Sequence, residues 1–141
     1  MNETEKQIID EFTASSETAI NCRNLLAGKI AIATNTILKT LKQRNKLMLC
    51  GNGGSATDAL HFGAELVVRF EKEREALPAI TLNSDIASLT AIGNDYSYDK
   101  IFSRQIDALA RNGDQLIVLT TSGNSKNIVD AVRSAKKIGN I

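Results

Sequence analysis

The only histidine in the chain, His61, stands four residues before Glu65 in a stretch with helical spacing. Side chains at i and i+4 face one another on a helix. Such a pair can share a zinc ion or divide general acid and base work. The same spacing also describes an ion pair on a solvated helix face. Two further stretches carry chemistry of another kind. Gly51-Asn52-Gly53-Gly54-Ser55 follows an apolar run, and its glycines allow close backbone approach at the start of a helix whose N–H groups attract an anion. Thr120-Thr121-Ser122-Gly123-Asn124-Ser125 follows another such run and offers hydroxyls and backbone amides, a donor set suited to a phosphate monoester. Read singly, the first is an ordinary strand-to-helix turn and the second a source of N-caps. The first matches neither the P-loop nor the full dinucleotide fingerprint, which argues against nucleotide binding. Gly93-Asn94-Asp95 adds an amide and a carboxylate in a segment with turn chemistry.

The elements that must position these residues are legible from the apolar pattern. Leu47–Cys50, Ala79–Leu82 and Gln115–Leu119 are short all-apolar or mostly apolar runs, the mark of strands buried on both faces. Helical segments are expected over Ala56–Phe70, Ile86–Ile92, Tyr98–Ala110 and Lys126–Ile138. Alternating strands and helices give an α/β fold, a doubly wound parallel sheet with right-handed crossovers. Ligands of such sheets bind beyond the carboxyl ends of the strands, where the polar loops lie. In the helix after the first loop, Ala59, Phe62, Gly63, Leu66, Val67 and Phe70 form an apolar stripe. At about 100° per residue, Asp58, His61, Glu65 and Arg69 make a second stripe roughly 125° away, on the flank. Upstream, two helices are expected in residues 1–45, separated near Gly28, with apolar faces large enough to meet another copy of the chain. The domain proper is expected over 46–141. Gly139-Asn140 is expected to close the last helix. Three strands make a small sheet, so further strands and a C-terminal helix are expected beyond this sequence.

Composition narrows the class. The 141 residues suit one domain, and 17 basic against 16 acidic residues leave a net charge of +1, which gives no long-range pull toward nucleic acid or anionic lipid. Neither a signal peptide nor a membrane span fits, so the cytoplasm is the expected compartment. Cys22 and Cys50 match no metal or redox spacing and read as reduced packing residues.

Taken together, Cys50 to Ser55, His61-Phe62, Glu65-Leu66, Pro78-Ala79-Ile80, Gly93-Asn94-Asp95, Phe102-Ser103-Arg104 and Thr121 to Ser125 resemble the sugar-isomerase (SIS) domain of bacterial phosphoheptose isomerases, from about Lys46 to Lys137. The resemblance implies a flavodoxin-like sheet, a cytoplasmic homotetramer, and isomerisation of sedoheptulose 7-phosphate to a heptose 7-phosphate for the cell envelope. It places Asn52, Gly53, Gly54 and Ser55 at the sugar, Thr120, Thr121, Ser122 and Ser125 at the phosphate, and Asn94 and Asp95 on the pocket wall. Glu65 would be the base moving a proton through an enediol, with His61 as the second catalytic group, and the two would supply two ligands of a zinc ion. Thr120 stands where the family usually has Ser. The family's second catalytic histidine and a glutamine ligand belong to a C-terminal helical segment beyond this sequence.

Two other readings use the same loops. A SIS interaction module of the DnaA-initiator-associating type has no need of a pocket carboxylate, so Glu65 favours the enzyme. A regulatory domain sensing a sugar phosphate would keep the hydroxyl loop without needing Glu65.

Overall fold

The structure is a computed structural model that describes residues 1–138. The first element, α1 (Glu3–Lys42), is one continuous helix rather than the expected pair. Gly28 costs a helix only about 1 kcal/mol against alanine, and nothing approaches the position a Cβ would take there, so it weakens the helix without breaking it. Residues 1–36 form one compact unit, and on this helix Ile8, Ile9, Phe12, Ile20, Leu25, Leu26, Ile30 and Ile32 are exposed. Cys22 is exposed as well, so it is not a packing residue of this chain.

From Ile37 on, the described residues form the second unit. Its described elements are β1 (Leu47–Gly51), α2 (Gly54–Val67), β2 (Ala79–Thr81), α3 (Ile86–Asp95), a 3₁₀ turn (Tyr98–Lys100), α4 (Ser103–Leu109), β3 (Gln115–Leu119) and α5 (Lys126–Lys137). The three strands are parallel, in the order β2-β1-β3, with Leu47 opposite both Ala79 and Gln115. This is the order that opens a flavodoxin-like doubly wound sheet. Alternate residues of β1 enter opposite cores. Met48 and Cys50 pack with Phe102, Ile106, Ile128 and Ala131, whereas Leu47 and Leu49 pack with Ala59, Ile37, Leu41 and Leu66. With helices on both faces, every residue of β1 is buried, while β3 at the edge is only half-buried.

Several boundaries differ from the sequence pattern. The Tyr98–Ala110 segment divides into the 3₁₀ turn and α4, and Gly93-Asn94-Asp95 is the last turn of α3 rather than a turn after it. Helix α2 ends at Val67, so Phe70 leaves the apolar stripe. Of that stripe Ala59 and Gly63 are buried, and Phe62, Val67 and Phe70 are exposed. The expected helix stop at Gly139-Asn140 lies outside the described residues. No described helix is long and apolar enough to cross a membrane.

Candidate functional site

Because β1 and β3 are paired neighbours, with Gly51 opposite Leu119, the loops that leave them start side by side at the carboxyl edge of the sheet. The end of β1 is closed by a side chain acting as a strand. Asn83, just after β2, accepts from the Gly51 N–H at 3.1 Å and donates to the Gly51 carbonyl at 2.9 Å. Gly53 then takes φ 57° and ψ −126°, a left-handed conformation that a residue with a Cβ rarely adopts, and caps α2 without any side-chain bond. The Ser55 and Ala56 N–H groups turn back to the Asn52 and Gly53 carbonyls, at 3.1 and 3.0 Å, so in this first turn it is the Gly54 N–H that is left for a ligand or water.

The hydroxyl loop is shaped from within. Thr120 Oγ1 accepts from the Gly123 N–H and Ser122 Oγ from the Asn124 N–H, both at 3.2 Å. A hydroxyl that accepts still has its own hydrogen to donate, so both remain donors toward an anion. Ser125 occupies the N-cap of α5 but makes no side-chain capping bond, so capping does not account for its hydroxyl. Thr121 and Ser122 are exposed, and Thr120 and Ser125 are half-buried.

The two loops are joined by amides. Asn52 Nδ2 donates to Asn127 Oδ1 at 2.9 Å and Asn127 Nδ2 donates to Asn52 Oδ1 at 2.8 Å, while the Tyr98 hydroxyl donates to Asn52 Oδ1 at 3.1 Å. The 3₁₀ turn carrying Tyr98 is held against α5 by the ion pairs Lys126–Asp99 and Lys100–Asp130. Hydrogen bonding to Asp99 raises the Lys126 pKa, and hydrogen bonding from Lys100 lowers that of Asp130.

Beside the first loop lies a cleft of about 580 Å³ lined by Gly51, Asn52, Gly53 and Ala56, by Asn83, and by Leu89, Thr90, Gly93, Tyr98 and Ile101. Of the sequence-predicted residues, this cleft gathers Asn52 and Gly53. Gly54 and Ser55 lie in the first turn of α2. Asn94 and Asp95 are exposed at the end of α3 and bond to each other at 2.8 Å, outside the cleft lining.

His61 Nε2 and Glu65 Oε1 are 3.2 Å apart, with His61 77% exposed and Glu65 35%. They sit on the flank of α2 as the wheel predicts. Eleven residues separate Glu65 from Gly54, about 16 Å along the helix, so the pair does not line the cleft. Arg74 fixes the end of α2 by donating to the carbonyls of Leu66, at 2.9 Å, and Glu65. Among the described residues no three His, Cys, Asp or Glu side chains come together as a metal site. Two donors fall short of the four that close a structural zinc shell or the three of a catalytic one.

Sequence reasoning missed Asn83, Asn127 and Arg74, and placed Tyr98 only as the start of a helix. Asn83 carried a signal, being the first polar residue after β2. Asn127 carried none, since an Asn in the first turn of a helix usually faces water.

The SIS domain family matches residues 11–141. The phosphoheptose isomerase of Campylobacter concisus is 51% identical over 132 residues, 94% of this chain and 69% of that protein. The phosphoheptose isomerase of Aliarcobacter butzleri is 49% identical over the same 94%, which is 70% of its length. Among solved structures, a phosphoheptose isomerase from Francisella tularensis superposes with a TM-score of 0.92 at 40% identity, covering 98% of this chain and 72% of that one. The phosphoheptose isomerase of Neisseria gonorrhoeae gives 0.89 at 38%, covering 96% and 70%.

Proposed function

The chain belongs to the SIS domain family and within it to the phosphoheptose isomerases, and on that premise we propose that it serves the cytoplasmic isomerisation of sedoheptulose 7-phosphate to D-glycero-D-manno-heptose 7-phosphate. The observation that carries the site is the pairing of β1 with β3, which brings two helix N-termini whose N-cap residues make no side-chain bond, and a row of hydroxyls, to one edge of the sheet. Thr120, Thr121, Ser122 and Ser125 hold the phosphate together with the first N–H groups of α5. Asn52, Gly53, Gly54 and Ser55 meet the sugar, while Asn94 and Asp95, exposed at the end of α3 outside the cleft lining, reach it only where the site extends beyond that cleft.

Glu65 is the base. Its carboxylate takes a proton from C1 of the ketose while the C2 carbonyl oxygen is protonated, giving the 1,2-enediol. Return of the carbon-bound proton to C2, with loss of the O1 proton, leaves the aldehyde of the aldose. His61, hydrogen-bonded to Glu65, is the neighbouring group suited to exchanging the oxygen-bound proton.

The distance of Glu65 from the cleft of its own chain supports a site completed by a second copy. The exposed Phe62, Val67, Val68 and Phe70 around the end of α2 support the same arrangement, and a homotetramer provides it. His61 and Glu65 are the chain's candidates for zinc, but this donor set does not by itself fit a zinc shell, and the proton steps above rest on the side chains alone. Glu65 also separates this reading from a SIS interaction scaffold, which would need no carboxylate there. The test is conversion of sedoheptulose 7-phosphate, followed by the appearance of the aldose. Tight sugar-phosphate binding without conversion would leave a sensor, and no binding would leave the scaffold.

A further inference from the structure

The amide pair between the two loops fixes more than their separation. Asn127 is 2% exposed, and its Oδ1 accepts from the Ile128 backbone N–H at 2.9 Å. A backbone N–H can only donate, so this bond decides which end of the Asn127 amide is oxygen. The other end, Nδ2, then donates to Asn52 Oδ1, and that in turn decides the orientation of Asn52. With the Tyr98 hydroxyl as a second donor, both lone-pair positions of Asn52 Oδ1 are taken. One Nδ2 hydrogen of Asn52 returns to Asn127, and the other has no acceptor among the described residues.

We propose that Asn127 is a positioning residue that locks the Asn52 side chain as a donor-only contact, presenting a single N–H to an oxygen of the bound sugar. The proposal rests on the phosphosugar reading of the site. An unlocked amide could turn either end toward the ligand and would accept as readily as donate. Locked, it requires a lone pair opposite it, as a carbonyl or hydroxyl oxygen supplies. The same bonds tie the sugar loop to the first turn of α5, next to the phosphate loop. The Asn127 side chain therefore acts on the sugar end of the ligand through Asn52, and only the backbone N–H of the residue belongs to the turn that faces the phosphate.

Dissociation constants for sedoheptulose 7-phosphate and for inorganic phosphate, measured by calorimetry on the wild-type protein, Asn127→Ala, Asn52→Ala and the double variant, test this. Asn127→Ala is expected to weaken sugar-phosphate binding about tenfold and inorganic phosphate by no more than about twofold. It is expected to add no further loss in the Asn52→Ala background. Equal losses for both ligands, additive losses, or unchanged sugar-phosphate binding would overturn the proposal. If thermal unfolding shows that Asn127→Ala does not fold, Asn127→Ser keeps an oxygen for the Ile128 N–H while losing the Nδ2 donor, and the same selective loss is expected of it. A wild-type protein that binds no sugar phosphate overturns the phosphosugar reading itself, whereas a wild-type that binds and a variant that matches it overturns only the role of Asn127.

Discussion

A methyl group on residue 63 would stand 2.3 Å from Thr81 Oγ1, so α2 rests on β2 at a separation that only glycine permits. Thr81 is β-branched and cannot swing its oxygen away freely. Gly63→Ala is therefore expected to push the helix off the strand and destabilise the fold by about 1–3 kcal/mol, despite alanine's better helix propensity. Urea unfolding monitored by circular dichroism measures it. A gain in stability would mean that the helix can shift at no cost.

Asp114 is 3% exposed and accepts from the backbone N–H and side-chain ammonium of Lys46 and from the Arg111 N–H, pinning the start of β1 beside the turn before β3. Burial alone would raise its pKa, but these donors hold it below 3.8. A depressed carboxylate contributes stability that is complete above its unfolded value and lost as pH falls through the native one. Asp114→Asn is expected to cost about 2 kcal/mol at neutral pH, and the gap to wild type should narrow below pH 3.8. Unfolding midpoints across that range check both parts.

Glu65→Gln keeps the shape of the side chain and removes its basicity. Turnover of sedoheptulose 7-phosphate is expected to fall at least about a hundredfold, with its dissociation constant unchanged within about twofold. Wild-type turnover in this variant would remove Glu65 from the mechanism.

Burial pushes the Cys50 thiol up to about 12, so almost no thiolate forms near neutrality. Iodoacetamide is expected to leave Cys50 unmodified in the folded protein and to label it in denaturant. Mass spectrometry of the peptide containing it reads this directly.

The sheet was legible because a strand covered on both faces must be apolar nearly throughout, as Leu47–Cys50 is at every position and Leu116–Leu119 is after the polar Gln115. Their order, β2-β1-β3, is that of the flavodoxin-like sheet the resemblance implies, since right-handed crossovers alone leave the direction of each step open. The single helix α1 was not legible, because Gly28 weakens a helix by too little to end one and the sequence does not say whether that cost is met. At the site, the residues that the sequence singles out are those whose type is unusual for a turn: repeated glycines, clustered hydroxyls, a lone histidine one turn from a carboxylate. The residues that hold them together, Asn83, Asn127 and Arg74, bond to backbone or to another amide across long sequence separations, and such partners become visible only when the chain is folded. The reach of Glu65 is a third case. Its place on the flank of α2 follows from helical periodicity, but that it stands apart from its own cleft depends on which loops line the cleft.

The most direct test of the central claim is a ¹H–¹⁵N titration of the protein with sedoheptulose 7-phosphate. Saturable shifts are expected at the amides of Gly53, Gly54 and Ser122 to Lys126 and at the Asn52 side chain, with inorganic phosphate reproducing only those of the hydroxyl loop and α5. Absence of saturable binding, or shifts confined to surfaces away from both loops, would contradict a phosphosugar site at this edge of the sheet.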